Sequence, residues 1–198
     1  MDKNKIIVLI SILFIIATIG IGYHSKNKNV STLTEIGAFS HYSNWKIYNP
    51  VGEQFSISFP SDDVKIGSIS EMGNSDNAYK NYYVEYKDIN YGVARYVGKS
   101  TELSDPDMIL AHNLDILLKI MEPNGQLISN DYTYYHSYRA LDILVRQYDL
   151  SDKAKDIYTR SRFILVGKTF YMLGIEYTNN YNDEDYQHFI NSFEIKAD

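Results

Sequence analysis

A stretch without a single charged residue, 6–22, opens the chain between two lysine-bearing flanks, with Lys3 and Lys5 before it and Lys26 and Lys28 after it. About 17 to 25 apolar residues can cross a bilayer as one helix, whereas a cleaved signal carries an apolar core of about 7 to 15. The stretch is slightly longer than the second class, and its small-residue cleavage candidate is Gly20-Ile21-Gly22. A retained transmembrane anchor is therefore expected ahead of a cleaved signal. A buried core helix fits less well, because no polar stripe runs along the segment. The lysines on its two sides nearly balance, so the short tail and the large remainder decide the expected orientation: tail inside, C-terminal domain outside the cytoplasm. The expected organisation is a tail at 1–5, an anchor or signal at 6–22, a polar linker at 23–45 and one domain at 46–197.

Composition narrows what that domain can do. The chain has no cysteine, which removes disulfides, thiol catalysis, cysteine metal sites and a lipidated-cysteine anchor. Its formal net charge is -6, and an acidic domain is a poor match for nucleic acid or an anionic membrane surface. Tyrosine supplies 19 of 198 residues; as a strand former with an amphipathic ring, it points to a sheet-rich domain.

Periodicity gives the elements. Residues 54–60 (QFSISFP) alternate Phe55, Ile57 and Phe59 with serines, which predicts a half-buried strand stopped by Pro60. Residues 62–77 read as loop, with one short strand near 64–69. Strands at 82–87 and 91–98 form a hairpin around Asp88-Ile89-Asn90. Ser104 or Asp105 then caps a helix with Pro106 in its first turn, running to Met121 before Pro123 and Gly125. Its polar residues His112, Asp115, Lys119 and Glu122 share one stripe, so the rest of the rod needs cover. Strands follow at 126–135, 139–148 and 157–166, and a type II′ turn at Gly167-Lys168 leads into another at 169–178. A capped acidic start at 182–185 opens a last helix with Tyr186, Phe189, Ile190 and Phe193 on one face. The expected fold is α+β: an antiparallel sheet with helices packed on it.

The Phe55–Pro60 opening, the mid-domain helix before long strands, the hairpin Arg162-Phe-Ile-Leu-Val-Gly-Lys-Thr-Phe-Tyr-Met-Leu and the closing Phe189-Ile-Asn-Ser-Phe193 together resemble the PsbP-like domain family. The resemblance covers nearly all of 46–197, and its motifs are structural. It implies an α/β/α sandwich serving as a binding or assembly module. The family includes the extrinsic photosystem II subunit, and a nuclear-import factor binding the Ran GTPase shares its fold. The apolar start is unlike a Ser/Arg-rich chloroplast transit peptide, so the photosynthetic role does not follow.

No chemical motif survives inspection. Gly167-Lys168-Thr169 ends like a P-loop, but Arg162 stands where that loop needs glycine. The five histidines (His24, His41, His112, His136, His188) form no i, i+4 pair, and no Gly-x-Ser-x-Gly elbow exists. No catalytic residue, metal or cofactor is expected.

Two sets of residues stand out as candidates for a ligand or partner patch. The first is Asp142, Arg146, Arg160 and Arg162 with Tyr158; a symmetric connection puts Asp142 opposite Arg162 and Arg146 opposite Tyr158, on the face that carries Leu173 and Ile175. A structural ion pair is the expected role, because an unpaired charge among apolar neighbours is costly. The second is the tyrosine set Tyr79, Tyr82, Tyr83, Tyr86, Tyr91, Tyr96, Tyr132, Tyr134, Tyr135 and Tyr138, expected mostly to pack within the sheet, with any exposed members free for contact. The favoured reading is a membrane-tethered, non-catalytic binding module with a protein partner at the membrane. The alternative is a cell-envelope enzyme or glycan-binding domain using Asp142, Arg160, Arg162 or the tyrosines.

Overall fold

Tight turns set the register of the main sheet. The computed structural model describes residues 42–69, 79–97, 105–122, 124–148, 156–178 and 183–196, so the segment 6–22 lies outside the described residues. The elements are β1 (Lys46–Tyr48), β2 (Phe55–Phe59), β3 (Lys65–Ile69), β4 (Tyr79–Tyr86), β5 (Ile89–Val97), α1 (Pro106–Met121), β6 (Gly125–Tyr135), β7 (Tyr138–Tyr148), β8 (Asp156–Val166), β9 (Thr169–Tyr177), α2 (Asp183–Asn191) and β10 (Glu194–Ile195). Gly167 adopts φ 57°, and Val166 faces Thr169 across it. That is the glycine-first turn the sequence predicts, and it matches the twist of the flanking strands.

The β4–β5 turn departs from expectation. It is Lys87-Asp88, both at positive φ, with Tyr86 facing Ile89. Ile89, expected within the turn, belongs to β5 and is 7% exposed. Left-handed backbone costs about 1–2 kcal/mol per residue, and less for Asp; burying isoleucine recovers about 1.5–3 kcal/mol and anchors a whole strand in phase.

Seven strands form one antiparallel sheet in the order β3-β4-β5-β9-β8-β7-β6. Because side chains alternate between faces, two cores result. On one face α1 lays Leu110, Leu114, Leu117 and Met121 over Leu141, Ile143, Val145, Phe163 and Met172. On the other, Tyr186, Phe189, Ile190 and Phe193 join Phe55, Ile57 and Phe59 over Tyr82, Val84, Tyr91, Val93, Leu173 and Ile175. The predicted cap of α1 is present, with Asp105 accepting a hydrogen bond from the Asp107 N–H at 2.9 Å. His112, Asp115, Lys119 and Glu122 are exposed, as their stripe predicts.

The strand expected at 54–60 is not half-buried. β2 sits between β1 and β10 in a separate three-stranded sheet, and Ser56 is buried along with Phe55, Ile57 and Phe59. The Ser58 N–H donates to Ser192 Oγ at 3.0 Å, tying this small sheet to the end of α2. The result is a layered α+β fold whose second outer layer is shared by α2 and the small sheet. Among the described residues, no helix is long and apolar enough to cross a membrane.

Candidate functional site

The sheet register places the predicted charges as expected: Asp142 faces Arg162 and Arg146 faces Tyr158, while Leu173 and Ile175 face Arg162 and Arg160. Their side chains nevertheless do not converge on one point. Arg162 donates from Nε to Asp142 Oδ1 at 2.6 Å and from Nη2 to Oδ2 at 2.7 Å, a two-pronged pair. These bonds push the guanidinium pKa further up. Arg146 instead turns to Asp156, donating from Nε at 2.8 Å, and lies over the Tyr148 ring at 4.7 Å. Arg160 pairs with Asp183 at the start of α2 and covers the Tyr186 ring at 4.3 Å. Tyr158 stacks on Tyr177, with ring centres 5.6 Å apart. Each arginine therefore has its own carboxylate, and Asp142 and Arg162 form the ion pair.

The tyrosines divide by strand position. Tyr79, Tyr82, Tyr91 and Tyr135 are buried, and Tyr83, Tyr86, Tyr96 and Tyr138 are half-buried. Burial raises the hydroxyl pKa of Tyr79 and Tyr91, and in Tyr82 the Glu53 carboxylate adds to it. Within this set only Tyr132, at 41% exposure, and Tyr134, at 64%, stand out into solvent.

Those two rings share a built surface. β6 is one of the two edge strands of the sheet, and Tyr132 and Tyr134 point to the α1 face, opposite Leu141 and Arg139. The Arg139 guanidinium lies 5.3 Å from the Tyr132 ring centre and 4.7 Å from that of Tyr134. It is held there by Asp107 in the first turn of α1, at 2.5 Å from Nε and 3.0 Å from Nη2. A third bond runs from Nη1 to the Thr133 carbonyl at 3.2 Å. The bonds from Arg139 hold the Asp107 carboxyl below the usual carboxylate range. Met108, next to Asp107 in the first turn of α1, is 54% exposed. Fixed aromatic rings beside a locked arginine are the residue types that carry binding energy at protein interfaces. Arg139 and Met108 carried no sequence signal, since nothing local says that β6 is an edge or that α1 begins beside it.

A second charge cluster also went unread. Lys80 and Arg95 face each other across β4 and β5, and the buried Glu53 carboxylate bridges them at 2.6 and 3.1 Å. The Tyr82 hydroxyl donates to the same carboxylate at 3.2 Å. This cluster pins the turn before β2 onto the main sheet. Among the described residues, no group of histidine and acidic side chains is placed to hold a metal ion.

No family model matches the chain, and neither does any curated protein. Solved structures do. Cyanobacterial PsbP (CyanoP) from Synechocystis aligns at a TM-score of 0.54 with 9% identity, over 82% of this chain and 98% of that one. A protein from Bacteroides thetaiotaomicron aligns at 0.50 with 10% identity, over 78% of this chain and 50% of that one. The Ran-binding protein Mog1p of Saccharomyces cerevisiae aligns at 0.47 with 13% identity, over 77% and 95%. The likeness to CyanoP shows that the antiparallel α+β fold is of PsbP-like type, at an identity that speaks for the fold alone.

Proposed function

We propose that this chain is a non-catalytic binding module, held at a membrane by residues 6–22 with its domain outside the cytoplasm, and that it meets a protein partner through the β6 edge. The observation that carries this reading is the pair of exposed tyrosines, Tyr132 and Tyr134, fixed by Arg139 on an edge strand. A guanidinium already occupies one face of each ring, which suits packing against a protein better than the open ring faces that sugars stack on. The paired state of Asp142, Arg146, Arg160 and Arg162 favours this reading over an envelope enzyme using those groups. The charge-free run at 6–22 supports the tether, and the PsbP-like fold agrees with a binding role.

The test places a photoreactive residue at position 134 of the full chain in native membranes, with position 47, on the exposed Ile47 of β1, as control. A discrete crosslinked product from 134 and none from 47 is expected; the same products from both positions, or none from 134, would remove the reading. An alkaline-phosphatase fusion after Asp198 is expected to be active, and an inactive one reverses the orientation.

A further inference from the structure

The backbone of β6 specifies more than a sticky surface. β6 ends the seven-stranded sheet, so none of the described strands pairs with its outer side. Tyr135 and Tyr138 flank a two-residue turn, and residues in that position exchange both backbone hydrogen bonds. Counting back in twos, Thr133 and Asp131 also bond towards β7. The N–H and C=O groups of Asn130, Tyr132 and Tyr134 are thereby directed outwards. The register is unbroken from Ser129 to Tyr135, and a bulge between Leu127 and Ser129 ends the run. Outward amides in register on an edge are a template for another strand.

The charges say what that strand carries. Asp131 lies directly opposite Asp142, and like charges so placed are destabilising. Asp142 is satisfied by Arg162 on its other side, while Asp131 is exposed at the rim. From β8 outwards the row reads Arg162, Asp142, Asp131, and a cation at the next position would complete it. With Asp131 bonded inwards, the residue beside it on an added strand forms a non-hydrogen-bonded pair, the arrangement in which side chains come closest. β6 itself contains no lysine or arginine, so a second copy paired edge to edge through β6 cannot supply the charge.

We propose that β6 accepts an extended segment of a partner protein as an added antiparallel strand, with a basic residue beside Asp131 and apolar residues beside Tyr132 and Tyr134. This rests on β6 being the partner surface and adds the mode and chemistry of the contact. The test uses the full chain in detergent micelles and two labelled peptides, Thr-Val-Thr-Val-Lys-Val-Thr and the same peptide with glutamate for lysine. The lysine peptide is expected to bind about tenfold more tightly, and Asp131→Lys to reverse the order. Tyr134→Pro removes an outward N–H while sparing the β7 ladder, which edge strands tolerate; it should abolish binding that Tyr134→Ala only weakens. Should the proline variant not fold, amide exchange on the unaltered chain decides, with Tyr132 and Tyr134 gaining protection on adding the lysine peptide. Equal binding of both peptides, no reversal by Asp131→Lys, or no gain in protection overturns the proposal. So does pairing of two copies through β6 at the same concentrations. Crosslinking from position 134 in membranes, with no peptide discrimination, would retain β6 as the partner surface and discard strand addition alone.

Discussion

Removing Arg162 should cost more than removing its partner Asp142, and the reason lies one strand further out. The two side chains are 14% and 27% exposed, between a buried pair, whose disruption costs about 3–5 kcal/mol, and a surface pair worth about 0–1 kcal/mol. About 2 kcal/mol is the expected loss for either truncation from this term. Asp142→Asn also relieves the repulsion with Asp131, returning roughly 0.5 kcal/mol. Arg162→Gln leaves that repulsion in place, with Asp142 and Asp131 face to face, and returns nothing. The expected costs are therefore about 1.5 kcal/mol for Asp142→Asn and about 2 kcal/mol for Arg162→Gln, and Asp131→Asn should recover part of the second. Urea unfolding can be followed by the single tryptophan, since Trp45 stands edge-on to Tyr91 with ring centres 5.3 Å apart. An Arg162→Gln cost below about 0.5 kcal/mol, the surface-pair range, or a larger loss from Asp142→Asn, would refute this account of the row.

Phe193 is wholly buried among Phe55, Tyr135 and Tyr171, at ring distances of 5.2 to 5.7 Å; Phe193→Ala should cost about 3–5 kcal/mol in the same assay. A Cβ added at Gly174 would lie 2.5 Å from Ser161 Oγ and 3.2 Å from the Arg160 carbonyl oxygen. Gly174→Ala should thus lower the melting temperature, and Ser161→Gly should restore only part of the loss because the carbonyl remains. His188 stacks on Tyr42 at 4.0 Å and meets Trp45 edge-on at 4.7 Å; burial lowers its pKa, against an opposing pull from Asp185. The unfolded chain then takes up the proton first, near pH 6.5, so this contribution to stability is present above that pH and is lost as pH falls. His188→Phe should flatten stability between about pH 7 and 5, and an unchanged slope would show that another group titrates there.

Much of the fold was legible because it rests on local terms. The Asp105 cap, the exposed stripe of α1 and the Gly167 turn each follow from spacings within a few residues, and the register of Asp142 with Arg162 follows from a symmetric connection between β7 and β8. β1 and β10 left no signal, being 3 and 2 residues long, too short to show a period. β2 misled for a related reason: alternation marks a strand but does not say which sheet receives it or what covers its second face. Tyr132, Tyr134 and Tyr135 are alike in sequence and share one edge strand, yet Tyr135 points to the face covered by Phe193 and is buried, while the other two stand on the opposite face and are exposed.

The sequence alone determined the charge-free run, the order of the longer strands and the helices, and the apolar face of most of them. Tertiary structure decided which of those elements became an edge. Strand order joins β5 to β9, far apart in the chain, and leaves β6 paired with β7 alone among the described strands, so the outward amides of β6 meet no described strand. Arg139 gained its role in the same way, when packing of α1 brought Asp107 beside it. Local patterns set which face of a strand is buried; only the assembled sheet sets which strand comes last.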